Sequence, residues 1–143
     1  MAMTVKPIAL WRRTIENRPG ELAGVLQPLA TARADLRVLM AYRFPGDETK
    51  GAVELFPISG KKALAAANDA GLTRAGIPAL LVQGSNKAGI AFDTARAIAE
   101  AGINLAFLVA QVVGTRFSAV YGFDSMTDRD RAAKLLKKPA ARR

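Results

Sequence analysis

The stretch that decides the fold is NRPGEL at residues 17–22, because the chain repeats it. The counterpart NKAGIA lies at residues 86–91, 69 positions further on. The register continues without a gap through the next helix and strand, where Ala30, Ala32, Asp35, Leu36 and Ala41 fall on Ala99, Ala101, Asn104, Leu105 and Ala110. A repeat of about 70 residues is too long for a solenoid unit and is typical of one small domain. The sequence therefore predicts two copies of a small domain in tandem.

Apolar spacing and turn residues predict the same order of elements in each copy. In the first copy we predict strands at 8–15, 36–44, 52–58 and 72–75, with helices at 21–33 and 61–70. In the second copy we predict strands at 78–83, 103–113 and 117–124, with helices at 90–101 and 126–138. This order is the split βαβ of a ferredoxin-like fold. The predicted class is α+β, with two βαββαβ units whose antiparallel sheets carry helices on one face.

The boundaries follow from this order. The first unit is predicted at residues 1–75, the second at 76–138, and a basic tail at 139–143. Nothing strand-like follows the last helix, so the second unit is predicted to lack its fourth strand. In the third strand we align the copies with a shift of 67, because Ala52, Val53 and Phe56 then fall on Ala119, Val120 and Phe123.

Composition excludes several kinds of function. The 143 residues contain no His and no Cys, which removes histidine bases, thiol nucleophiles, disulfides and the commonest zinc ligands. We expect no catalytic residue, no metal, no cofactor and no enzymatic activity. No signal peptide and no apolar run of about 18 residues is present, so we expect a cytoplasmic protein without a membrane partner.

The positive charge leaves a second class of function open. The net charge is +9, and +5 of it falls in residues 134–143. Such a balance is typical either of a solvated basic end or of a module that contacts an anionic partner. No aromatic RNA-reading motif lies on a predicted central strand, so we do not expect nucleic acid as the partner. The alternative nevertheless stands: a basic ferredoxin-like module that binds nucleic acid or protein.

The repeated turns are suited to a zwitterionic ligand. A glycine turn that opens a helix leaves backbone N–H groups without partners, and these N–H groups can hold a carboxylate. Glycine also allows the close approach that a side chain would block. The amide oxygens of Asn17, Asn86 or Asn104 could accept a hydrogen bond from an ammonium group.

The turn Asn17-Arg18-Pro19-Gly20-Glu21-Leu22 and the segment Ala101-Gly102-Ile103-Asn104-Leu105 resemble those of the ACT domain, a family of small regulatory modules. The resemblance covers almost the whole chain, as two ACT units without a catalytic domain. It implies a sensor whose ligand, often an amino acid, lies between the first turn of one unit and the start of the second strand of another. It also implies a homodimer and a protein target of regulation.

Carried over by position, the resemblance implicates three groups of residues in ligand binding. They are Asn17, Pro19, Gly20, Glu21 and Leu22, then Asn86, Gly89 and Ile90, and finally Ile103, Asn104 and Leu105. The family pattern favours Asp where this chain has Asn17 and Asn86, and the turn proline is replaced by Ala88. Because Asn104 is matched by the charged Asp35 in the first copy, we expect the second copy to be the better amino-acid site.

Overall fold

The computed structural model of the chain describes residues 3–137. Within them the strands are β1 (Thr4–Ile8), β2 (Trp11–Glu16), β3 (Val38–Phe44), β4 (Asp47–Phe56), β5 (Thr73–Arg74), β6 (Ala79–Ser85), β7 (Leu105–Val113) and β8 (Arg116–Phe123). The helices are α1 (Glu21–Thr31), α2 (Lys61–Asp69), α3 (Ile90–Glu100) and α4 (Met126–Lys137). Each predicted helix is present, although several ends differ by one or two residues.

Two compact units make up the described chain. One contains residues 9–76, with a sheet in the order β3-β4-β2-β5. The other contains residues 77–137 together with residues 3–8, and its sheet has the order β1-β6-β8-β7. All strand pairs are antiparallel. The α+β class and the two ferredoxin-like units predicted from the sequence are confirmed.

The first strand of the chain belongs to the second unit. The sequence predicts one strand at 8–15, but the structure has two, and β1 pairs with β6 from Thr4↔Gln83 to Ile8↔Ala79. Val5 and Ile8 are 6% and 5% exposed, so their burial explains why this segment leaves the first unit. In the residues described, no strand follows α4, and β1 occupies the fourth position of that sheet. The boundary therefore differs from the predicted 1–75, while the predicted tail at 139–143 lies outside the described residues.

The register of the third strand also differs from the prediction. The 69-residue repeat matches Trp11 to Leu80. Trp11 pairs with Leu55 in the first unit, and Leu80 pairs with Tyr121 in the second. The shift in this strand is therefore 66, and the predicted shift of 67 is wrong. A one-residue change of register moves every side chain to the other face of a sheet.

An insertion in the first hairpin accounts for this shift. Arg43 pairs with Gly51 and Phe44 pairs with Asp47, so residues 48–50 of β4 have no counterpart on β3. In the second unit Val112 pairs with Phe117 and Val113 with Arg116, without extra residues. The three inserted residues reduce the shift from 69 to 66 and form a bulge at the hairpin end of β4.

Each unit has its own apolar core between its sheet and its helices. In the first unit Val25 and Leu29 of α1 pack with Val53 and Leu55 of β4. In the second unit Leu80, Ile98, Tyr121 and Phe123 are 0–1% exposed and lie in one cluster. The side chains of these cores follow the helical and alternating strand periods that the sequence shows.

A buried hydroxyl pair distinguishes the core of the second unit. Tyr121 and Thr94 share a hydrogen bond of 2.6 Å between their hydroxyl groups, and Thr94 also donates to the Ala91 carbonyl at 3.0 Å. Burial raises the pKa of the Tyr121 phenol above its usual 10.0, although the Thr94 hydrogen bond lowers it in part. The native unit therefore holds this proton more strongly than the unfolded chain does.

This shift predicts a loss of stability in alkali. Since the folded pKa of Tyr121 is raised, its contribution is constant below about pH 10 and decreases above it, by up to about 1.4 kcal/mol per pH unit. Tyr121→Phe is expected to cost about 1 kcal/mol at neutral pH through the lost hydrogen bond. The variant should then lose less stability than the wild type above pH 10, as measured by urea unfolding. A decrease equal to that of the wild type would contradict the assignment. Phe117→Leu is the control, because it disturbs the same core without removing a phenol and should keep the alkaline decrease of the wild type.

A second buried polar cluster lies in the first unit, and sequence analysis missed it. Glu54 is 1% exposed and accepts a 2.6 Å hydrogen bond from the Tyr42 hydroxyl. Arg12 pairs with Glu54 across the strands, and its guanidinium lies 5.5 Å from the Phe44 ring centre. Burial first, and then the Glu54 carboxylate, raise the pKa of Tyr42. The charged Glu54 within the apolar run AVELF is the only sequence signal of this cluster.

Candidate functional site

The two repeated turns have the same backbone geometry. Gly20 and Gly89 both adopt the left-handed conformation, with φ of 91° and 85°. Asn17 and Asn86 each donate a 2.8 Å backbone hydrogen bond, to the carbonyl oxygens of Thr49 and Thr115. Two further backbone hydrogen bonds match as well. The N–H of Glu21 donates to Arg18 at 3.3 Å, as that of Ile90 does to Lys87 at 3.2 Å. The N–H of Gly24 donates to Gly20 at 2.9 Å, as that of Asp93 does to Gly89 at 2.9 Å. Glycine is therefore needed at both positions, because other side chains are strained at this φ.

Both turns open helices without a side-chain cap. Neither α1 nor α3 has a side-chain hydrogen bond to its first N–H groups. Because the N–H groups of Glu21 and Ile90 already donate to the turn carbonyls of Arg18 and Lys87, the N–H groups that follow them are the ones suited to a carboxylate, together with the positive end of the helix dipole. Each helix also has an acidic residue in its first turn: Glu21, which contacts Arg18 at 3.6 Å, and Asp93, which is 9% exposed. Because both helices carry an acidic residue in the first turn, the electrostatic potential at the helix start does not distinguish the two turns.

The asparagine side chains do distinguish them. The Asn17 amide donates to the carbonyl oxygen of Glu48 at 2.8 Å, so it fastens the turn to the bulge at residues 48–50. The Asn86 side chain is exposed and forms no hydrogen bond within residues 3–137. The inserted residues that anchor Asn17 are absent from the second unit. Asn86 is thus available to a ligand, whereas Asn17 has a structural role.

The remaining predicted residues lie in different surroundings. Pro19, Gly20 and Gly89 are exposed, whereas Leu22 packs against the first core. Ile90 and Ile103 are 6% and 5% exposed and belong to the second core, against which Leu105 packs. Their side chains support the fold, and only their backbone groups remain as candidates for ligand contact.

The Asn86 turn and Asn104 lie at opposite ends of α3. The helix has 11 residues, which corresponds to a length of about 16 Å. Asn104 is exposed and follows the helix, where Ile103 donates to the Ile98 carbonyl at 3.2 Å. One amino acid cannot contact both asparagines within a unit, so a shared ligand would need Asn104 of a second copy of the chain.

Solved structures share this architecture. A protein from Bacteroides thetaiotaomicron matches with a TM-score of 0.75 at 15% identity, over 91% of this chain and 88% of that one. The regulatory subunit of aspartate kinase from Thermus thermophilus, in its ligand-free form, has a TM-score of 0.60 at 16% identity, over 96% and 98%. The chain has the tandem ACT-like fold. The corresponding subunit from Thermus flavus has a TM-score of 0.57 at 17% identity, over 96% and 98% of the two chains.

The comparisons show the ACT-like fold and no closer relationship. No protein-family model and no curated protein matches the chain. In the part of the chain that the structure describes, no helix is long and apolar enough to cross a membrane.

Proposed function

We propose that this chain is a non-catalytic regulatory module that binds a free amino acid at the Asn86 turn. Residues 103–105 of a second copy of the chain would complete the site. The observation that carries the proposal is the unused Asn86 amide beside the left-handed Gly89 and the uncapped start of α3. The likeness to regulatory subunits of aspartate kinase supports a role in regulating another protein.

The chemistry of a free amino acid fits these groups. Its carboxylate would accept hydrogen bonds from the N–H groups at the start of α3, where the helix dipole favours negative charge. Its ammonium would donate to the amide oxygen of Asn86 or of Asn104. An amino acid held in this way would link two copies of the chain, and its binding would favour the dimer.

A homodimer would supply the second copy of the chain. β7 is the edge strand of its sheet and contains no charged residue from Leu105 to Val113. Leu108, Val109, Val112 and Val113 are 39%, 49%, 48% and 64% exposed. An uncharged apolar edge of this length invites pairing with another strand. We propose that β7 pairs with β7 of a second copy, in an interface that uses the same surface twice.

A screen of the twenty amino acids against the intact protein tests the ligand proposal. A ligand at 100 times its Kd is expected to stabilise the protein by about 2.7 kcal/mol. Asn86→Ala should weaken binding about tenfold, because one hydrogen bond to a charged group is lost. Calorimetric titration of the best amino acid measures this change.

Asn17→Ala is the matched control, because it removes the same group from the other turn. It is expected to lower stability without changing the affinity by more than about twofold, since the Asn17 amide binds the bulge. Two results would contradict the proposal: no stabilisation by any of the twenty amino acids, or equal losses of affinity in both variants.

A further inference from the structure

A basic cavity lies in the first unit, away from the Asn17 turn. It has a volume of about 560 Å³ and lies between the end of α1 and the start of α2. Four cationic side chains line it: Arg33, Arg37, Lys61 and Lys62. The single acidic lining residue is Asp35, which is paired with Arg37 at 2.8 Å. The cavity thus has a formal excess of three positive charges.

Most of this charge is not compensated. Arg33, Lys61 and Lys62 form no ion pair within residues 3–137. Several like charges around one concave surface give a positive potential that attracts anions. The start of α2 adds to this potential, since the helix has no side-chain cap and no acidic residue in its first turn.

We propose that this cavity binds the phosphate group of a small organic phosphate. A phosphate carries a charge of about −1.5 to −2 and offers three acceptor oxygens, so it uses several cations where a carboxylate uses one or two. Part of the cavity wall is apolar and consists of Ala32, Ala34, Pro57 and Ala63. The organic group of a phosphate ester can pack against this apolar wall, whereas inorganic phosphate cannot. The volume lies within the range of about 300–1,000 Å³ that small-molecule sites occupy.

The backbone of Arg33 supports a role for its guanidinium. Arg33 has a positive φ of 59°, and the matched position in the second unit is Gly102, with φ of 74°. Both residues donate the same hydrogen bond, to Ala30 and Ala99 at 3.0 and 2.9 Å. Glycine satisfies this conformation without strain. The arginine is thus the less stable choice for the fold, and it places a cation in the cavity wall.

The corresponding helix start in the second unit is organised differently. There the Ser125 hydroxyl accepts a 3.1 Å hydrogen bond from the Asp128 N–H, and the Asp128 carboxylate contacts Arg131 at 3.6 Å. This end is already capped and carries an acid. The proposed phosphate site therefore belongs to the first unit, and it is independent of the amino-acid site proposed at the Asn86 turn.

Calorimetric titration of the intact protein with phenyl phosphate tests the proposal, and inorganic phosphate separates an organic phosphate from the free ion. Phenyl phosphate is expected to bind more tightly than inorganic phosphate, because its ring covers the apolar wall. The double variant Lys61→Gln, Lys62→Gln should weaken binding at least about tenfold. Equal binding of both probes would overturn the organic part of the proposal.

Arg33→Gly is the decisive variant, because glycine already adopts this conformation at the matched Gly102 and is expected to keep the fold. It is expected to raise the Tm by roughly 2–4 °C while weakening phenyl phosphate binding about tenfold. Arg43→Gln removes the same charge from β3, outside the cavity, and should leave the affinity unchanged. Unchanged affinity in Arg33→Gly, an equal loss in Arg43→Gln, or displacement of phenyl phosphate by a tighter-binding oligonucleotide would each overturn the proposal.

Discussion

Removal of residues 1–8 is expected to unfold the second unit while the first stays folded. β1 contributes the buried Val5 and Ile8, and each such side chain stabilises by about 1.5–3 kcal/mol. The deletion also removes the partner strand on one side of β6, along five residue pairs, and leaves only β8 on the other side. The combined loss is several kcal/mol, a large share of the 5–15 kcal/mol that stabilises a typical domain. The first unit retains all four of its strands.

Amide hydrogen exchange measures this difference unit by unit. In the truncated protein, protection should be lost in β6 and β8 and kept in β2 and β4. A peptide of residues 1–10 added in trans should restore it, because the peptide supplies the missing partner strand of β6. Thr4→Ser, at an exposed position of β1, is the control and should change little. Full protection of β6 in the truncated protein would contradict the role assigned to β1.

A lysine at Leu108 is expected to dissociate the proposed dimer. The substitution removes an apolar contact and places two like charges across a symmetric interface. The loss is at least about 2 kcal/mol, which raises the dissociation constant more than tenfold. Sedimentation equilibrium over a range of concentrations measures it.

Leu39→Lys is the matched control, because the repeat places Leu39 at the same position of the other edge strand. Leu39 and Leu108 are both leucines and are 46% and 39% exposed. The Leu39 variant should keep the dissociation constant of the wild type. A monomeric wild type, or equal dissociation in both variants, would contradict pairing through β7.

The fold was predictable because the repeat supplies its own alignment. Apolar spacing locates all four helices, and the glycine turns are found at the same place in both copies. The register of β4 was not predictable in this way. Ala52 and Val53 resemble Ala119 and Val120 by identity, but residues 48–50 are inserted and the true shift is smaller. Small apolar residues occur on both faces of these strands, so identity alone cannot decide which face they occupy.

The place of β1 could not be inferred from local pattern. A short strand has the same alternation whichever sheet it joins, and its choice depends on which edge can bury Val5 and Ile8. The difference between the turns was only partly predictable. The match of the charged Asp35 to Asn104 in the repeat predicted that the two copies are unequal. The hydrogen bond from Asn17 to the Glu48 carbonyl depends on the bulge, so the sequence did not show it. The Arg33 cavity likewise depends on two helices that are distant in sequence.

The pairing of β1 with β6 sets the order of events during synthesis. Thr4 leaves the ribosome 79 residues before its partner Gln83, a delay of about 4–16 s at 5–20 residues per second. The first unit is complete by residue 76, so it can fold while the N-terminal strand is still unpaired. For that interval Val5 and Ile8 are available to chaperones or to other nascent chains. A segment synthesised before the first unit thus reaches its native position after that unit.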